Sequence, residues 1–279
     1  MALFRHGRSR VLVSVPTQHV ECIWDPEVAR VLGRASLAYL AVETSRGPHV
    51  TPLLFAATPD RLWFGIGRGT LKARAVAKRP AVGVVVPGEN ASVAIRGEAT
   101  LVDRLSAPPA ELVRTPLALP AFASRNALEM AAFARDVARR GARPQPLALV
   151  SVRIDALDLL DGWPAAAVLG WMAPGGPVAL PARWDPVSER ARVPADALKR
   201  GGGPRAAAAC VCIDESEGRG PLAKRGTLLR GHGRATLRGA VASIALEPER
   251  VTRWRGFQTQ TAAVALADRQ AGTSVASSV

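Results

Sequence analysis

The chain runs through one order of strands, turns and a short helix twice, and this repetition constrains its fold more than any single motif. In the first half, strand-like runs occupy 36–43, 49–57 and 61–66, and a helix-like run at 71–78 stops at Pro80. Further strands follow at 81–86, 91–102 and 147–160. The second half presents strands at 165–172, 178–183 and 189–193, a helix at 195–200 before Pro204, then strands at 206–213, 227–237 and 243–256. The turns correspond too: Gly47-Pro48 with Gly176-Pro177, Pro59-Asp60 with Asp185-Pro186, and Arg96-Gly97 with Arg230-Gly231. A supersecondary unit repeated in one chain buries its open face most simply against the other copy. The expectation is therefore a mainly β protein, two barrel-like units with peripheral helices, packed as an intramolecular pseudo-dimer. The first unit is expected over 1–164, with a helical insertion at about 104–146. The second is expected over 165–270, and a small, polar tail over 271–279 is expected to be flexible.

Local signals fill in this frame. Asp25-Pro26 offers an N-cap and a proline at the first helical position, followed by an apolar stripe at Val28, Val31 and Leu32 that Gly33 is expected to end. Val11 to Val15 reads as a short strand. Pro52 within a strand predicts an edge or a bulge, and Gly97 predicts a bulge. Prolines at 108, 109, 116 and 120 are expected to break the insertion, leaving one amphipathic helix over 126–140, closed by Gly141, with Met130, Phe133 and Val137 as its packing face.

Composition limits the function classes. Formal net charge is +14, which invites a nucleic-acid reading. Of the 37 basic residues, however, only Lys72, Lys78, Lys199 and Lys224 are lysines. The excess of arginine beside Ala, Gly and Pro has the look of a GC-rich codon bias. Aromatics are 5% and are not interleaved with the cations, as stacking platforms for single strands require. Nucleic acid is thus a minor alternative. No apolar stretch is long enough to span a bilayer. Cys22, Cys210 and Cys212 form no disulfide framework, and the latter two point to one face of a strand as core filler, which fits a reducing cytoplasm. The four histidines, His6, His19, His49 and His232, lack metal-ligand spacing.

Between the strand at 61–66 and the helix at 71–78 lies Gly67-Arg68-Gly69-Thr70-Leu71-Lys72-Ala73-Arg74. Glycines, a hydroxyl and cations at a helix start suit an anion such as phosphate. The same residues also fit a glycine-capped turn carrying solvated cations.

The strand 47–52 (GPHVTP), the turn 69–74 (GTLKAR), the run 78–82 (KRPAV) and the strand 95–99 (IRGEA) together resemble the flavin-binding split-barrel superfamily, the pyridoxamine 5'-phosphate oxidase-like proteins. The resemblance covers about 25–160 well and about 165–260 more faintly. It implies a six-stranded antiparallel split barrel, usually dimeric, with flavin in a groove between subunits; here the second repeat would replace the second subunit. It assigns the cofactor phosphate to Arg68, Gly69, Thr70, Lys72 and Arg74, and the ring system to Thr51 and its neighbours. It implies an oxidoreductase using FMN or the deazaflavin F420 on a small-molecule substrate, or a non-catalytic barrel that binds flavin or haem or has lost its cofactor. His49 could touch ligand, His232 could ligate haem, and Trp254 and Gln258 could reach the groove. By sequence, Pro194, Asp196 and Leu198 stand where the first repeat has Thr70, Lys72 and Arg74. A proline lacks a donor and a carboxylate repels an anion, so at most one cofactor is expected per chain.

Overall fold

The structure, a computed structural model, describes residues 9–12, 24–102, 109–139, 147–203, 205–215, 225–255 and 258–264. Cys22, Val13 to Val15, Gly141 and the tail therefore lie outside the described residues. In chain order the first half contains β1 (Ser9–Leu12), α1 (Pro26–Arg34), β2 (Ala38–Thr44), β3 (Gly47–Leu53), β4 (Phe55–Thr58), β5 (Arg61–Gly67), α2 (Leu71–Lys78), β6 (Ala81–Pro87), β7 (Ala91–Val102), α3 (Pro109–Arg125), α4 (Ala127–Arg139) and β8 (Leu147–Asp161). The second contains β9 (Ala167–Ala173), β10 (Gly176–Asp185), β11 (Arg190–Pro194), α5 (Ala195–Arg200), β12 (Ala206–Asp214), β13 (Arg225–Arg238), β14 (Val241–Arg255) and β15 (Gln258–Ala263).

Each half forms its own antiparallel sheet. The first runs β3-β2-β6-β7-β8-β5-β4, with β1 paired to β8; the second runs β11-β10-β9-β12-β13-β14-β15. In the second, β11 also pairs with β14, which closes six strands into a barrel. In the first, β3 pairs with β2 and β4 pairs with β5 at opposite ends of the sheet, while the chain between them is interrupted only at Leu54. The chain itself thus closes the first barrel. Pro52 sits on β3, which pairs on one side only, where a missing N–H does no harm.

The two registers match in detail. Gly97 opposes Ile154 and Arg96 opposes Ala156, leaving Asp155 as the extra residue of a bulge. Gly231 opposes Pro248 and Arg230 opposes Arg250, leaving Glu249 in the same role. A Cβ on Gly97 would lie 1.9 Å from the Arg153 carbonyl oxygen, and one on Gly231 1.9 Å from that of Glu247. Backbone therefore occupies the space a side chain would need. The extra strands β1 and β15 flank the last barrel strand of each repeat, although they come from opposite ends of the chain.

The repeats pack through the outer faces of their sheets. Tyr39, Ala41, Val50 and Val85 meet Val168, Ala179, Cys210, Cys212 and Leu228 in one buried cluster. The contact is reciprocal: a Cβ on Gly47 (φ +85°) would lie 2.8 Å from the Ala208 Cβ, and one on Gly176 (φ +115°) 2.6 Å from that of Ala81. Positive φ and close approach both call for glycine at these turns. Equivalent residues touching each other's counterparts is the signature of a twofold relation.

The helices show where local reading held and where it failed. Asp25 accepts the Glu27 N–H at 2.8 Å, and Val28, Val31 and Leu32 are buried, but α1 continues through Gly33 to Arg34. The insertion departs more. Pro116 and Pro120 do not break it: α3 starts at Pro109 and carries both inside it, exposed, while Pro108 lies outside the described residues. Tertiary contacts hold this helix despite the lost donors. Ala118 and Phe122 are buried, and Arg61 on β5 reaches Glu111 at 3.0 Å. Arg125 donates to the Leu32 and Ala35 carbonyls at 2.6 Å each, and Asn126 donates to that of Phe55 at 3.2 Å. By contrast α4 buries no residue; Met130, Phe133 and Val137 are half-buried, and its main neighbour is α3.

Candidate functional site

The turn after β5 forms as its residues suggest. The Thr70 N–H donates to the Gly67 carbonyl at 3.1 Å, and Thr70 caps α2 by accepting the Ala73 N–H at 3.4 Å. The first N–H groups of a helix have no partner within it, so they and the dipole face the turn. Arg68 and Gly69 are exposed at the tip, Thr70 is half-buried, and Arg74 is exposed on the outer side of α2. Lys72 is placed differently. It is 6% exposed, and its Nζ donates to the Leu40 carbonyl at 2.5 Å. Burial lowers its pKa to about 7, against the opposing pull of Cys212 and Cys210.

Leu40 pairs with Thr51 and Val42 with His49 across β2 and β3, so Thr51 and His49 share the β3 face next to the Lys72 anchor. Val50 faces the other way, onto Gly170 and Cys210 of the second repeat. Thr51 and His49 thus lie on the strand next to the Lys72 anchor, and the Lys72 charge acts on His49, while Arg68, Gly69 and Arg74 are exposed before and along α2. The His49 Nδ1 atom is buried with no hydrogen-bond partner among the described residues. Burial, then Lys72 and Arg230, push its pKa down to about 3.

The second repeat packs against the opposite, Val50 face of β3. Register aligns Cys210 with Arg230, Cys212 with Leu228, Arg230 with Arg250 and Leu228 with Thr252, so these residues share the face that looks toward the first repeat. Both cysteines are fully buried, and burial pushes the Cys210 thiol up to about 12, which makes it inert filler. Trp254 is 8% exposed near the end of the same face. His232 is exposed at the bulge, its Nδ1 2.8 Å from Glu249 Oε1. The sequence reading missed Arg230, Arg250 and Arg46; the Arg-Gly of the bulge was the available signal.

The second repeat has no equivalent turn. β11 ends at Pro194, which caps α5 without a side-chain bond, and Asp196 stands in its first turn. Two cavities lie elsewhere. One of about 320 Å³ sits between α1, β2 and the end of β12, beside the 2.8 Å hydrogen bond from Tyr39 to Asp214. The other, of about 290 Å³, lies across the twofold at Arg96, Gly97, Gly176 and Gly201. Among the described residues no cluster of metal-ligand type occurs, and no helix is long and apolar enough to cross a membrane.

Fold and site define a protein of two antiparallel barrels packed through their outer faces, with cationic side chains near the contact. No protein-family model matches the sequence, and no curated protein matches it. Similar solved structures include a candidate pyridoxamine 5'-phosphate oxidase from Listeria innocua, 14% identical, covering 48% of this chain and 95% of that one, with a TM-score of 0.33. A FAD-binding protein from Mesorhizobium loti is 16% identical, covering 55% of this chain and 98% of that one, with a TM-score of 0.37. The haem storage protein HutZ from Vibrio cholerae is 15% identical, covering 50% and 94%, with a TM-score of 0.36.

Proposed function

We propose that the chain is an oxidoreductase using FMN or F420, of the pyridoxamine 5'-phosphate oxidase-like type, acting on a small molecule in the groove between its repeats. The observation that carries this is the glycine turn leading into the Thr70-capped helix, with Arg68 and Arg74 exposed beside it, in one repeat and not the other. The donor set suits a cofactor phosphate: Arg68 and Arg74 supply charge, Gly69 lets backbone approach closely, and Thr70 with the first N–H groups of α2 supplies hydrogen bonds. Lys72 acts from beneath, as a buried amine tying α2 to β2 beside Thr51. When bound, a flavin or deazaflavin supplies the hydride chemistry. The chain's own residues then orient it and exclude water, which requires no catalytic triad. The free buried cysteines fit a cytoplasmic protein that works as a single pseudo-dimeric chain.

The test is a fluorescence titration with FMN and with F420 on the wild type and on Arg68→Gln/Thr70→Ala. Binding of one cofactor, weakened ten-fold or more by the double change, supports the reading; no binding of either at micromolar concentration overturns it. A non-catalytic haem-binding barrel is the second reading. It is favoured by His232, whose Nδ1 contact with Glu249 leaves Nε2 as the ligand atom of a carboxylate-oriented imidazole. A Soret band lost in His232→Ala would decide for it.

A further inference from the structure

Three arginines, one of them exposed on the β2–β3 turn, lie near the β13 bulge. Arg230 and Arg250 oppose each other across β13 and β14, where like charges directly opposite are destabilising. Arg46 adds a third positive charge acting on Arg230 from the β2–β3 turn, which Gly47 holds against Ala208. None of the three pairs with a carboxylate among the described residues; the nearby Glu249 is engaged by His232 and Glu247 lies by Arg234. Two buried atoms, Arg230 Nε and His49 Nδ1, also lack hydrogen-bond partners among the described residues, and the Arg230 charge acts on His49. The arrangement is one-sided. Across the twofold, register puts Gly175, Val178 and Ala156 where Arg46, His49 and Arg250 stand, and Arg96, the counterpart of Arg230, spends its donor on the Arg200 carbonyl at 3.0 Å. Uncompensated cations and orphaned buried nitrogens on one side only are a site built for a negative charge.

We propose that Arg46, Arg230 and Arg250, with His49 behind them, form an oxyanion subsite spanning the two repeats, and that the molecule transformed in the groove carries a carboxylate or phosphate there. Calling that molecule a substrate rests on the proposed function; the anion site itself does not. Guanidinium forks match both oxyanions bidentately, and an anion at this point would relieve the mutual repulsion of the three cations.

The experiment follows the His49 imidazole resonance by NMR, assigned with His49→Gln, during titration with inorganic phosphate and, separately, with acetate. Both are run on Arg68→Gln/Thr70→Ala, which disables the phosphate turn, and on the same protein carrying Arg230→Gln and Arg250→Gln. The expected result is a saturable His49 shift with at least one anion, lost in the second protein and largely restored when the two changes are to lysine. The stronger of the two anions identifies the group. A shift that is non-saturable, absent, or indifferent to Arg230 and Arg250 overturns the subsite. If cofactor binds and His49 does not respond, the subsite fails and the function stands. If no cofactor binds and His49 responds through the arginines, the function fails and the anion site stands.

Discussion

Two buried bases report the environment of the groove through pH. Lys72 has its pKa lowered to about 7 by burial, against 10.5 in the open chain. Between those values the unfolded chain binds the extra proton, so stability rises with pH from about 7 toward 10. Denaturant unfolding at pH 7 and pH 9 should show the wild type gaining stability at the higher pH, and Lys72→Met should lose that gain. His49, pushed down to about 3 from 6.5, is neutral in the fold and charged when unfolded between those values. Its contribution is therefore lost as pH falls from 6.5 toward 3. His49→Gln should unfold less steeply than the wild type in that range, and an unchanged acid limb would contradict the burial. Gly97 sets a purely steric test: Gly97→Ala drives a Cβ toward the Arg153 carbonyl and should cost roughly 2 kcal/mol or more in thermal unfolding, comparable to other strained backbone sites.

At the scale of elements, α2 and most barrel strands were legible because each depends on local chemistry, whereas the run at 49–57 is two strands, broken at Leu54 and placed at opposite ends of the sheet. The α2 bounds follow from Thr70 as cap and Pro80 as stop, and β7 follows from its apolar run interrupted by Gly97. What was not legible depends on partners far along the chain. α3 exists despite Pro116 and Pro120 because Arg61, buried beside Ser151 at 3.2 Å, meets Glu111 at 3.0 Å, and because Phe122 packs over Gly65. No window of sequence around 109–125 contains those partners. The inward turn of Lys72 is of the same kind: its acceptor, the Leu40 carbonyl, is a backbone atom on β2. The buried Arg61–Glu111 pair gives this scale its prediction. Glu111→Leu leaves the buried Arg61 guanidinium with only the half-exposed Asp60, at 3.3 Å, and Ser151, and should cost about 2 kcal/mol, whereas Arg61→Met/Glu111→Leu should recover most of it. Equal losses in the single and double variants, by denaturant unfolding, would show that the pair does not anchor α3.

The whole molecule is a dimer written into one chain, and its asymmetry is its functional content. The twofold survives in the reciprocal glycine contacts, the paired bulges and the flanking strands, which are backbone features both barrels need. It is broken in the residues that would meet ligand: Gly-Arg-Gly-Thr against Pro194, and arginines 46 and 250 against Gly175 and Ala156. On the proposed function, such divergence predicts one cofactor per chain, and the most direct test is stoichiometry. Calorimetric titration of the full chain with FMN and with F420 should give one equivalent of one cofactor, abolished or weakened by Arg68→Gln/Thr70→Ala. Two equivalents, or one equivalent indifferent to that change, would contradict the account.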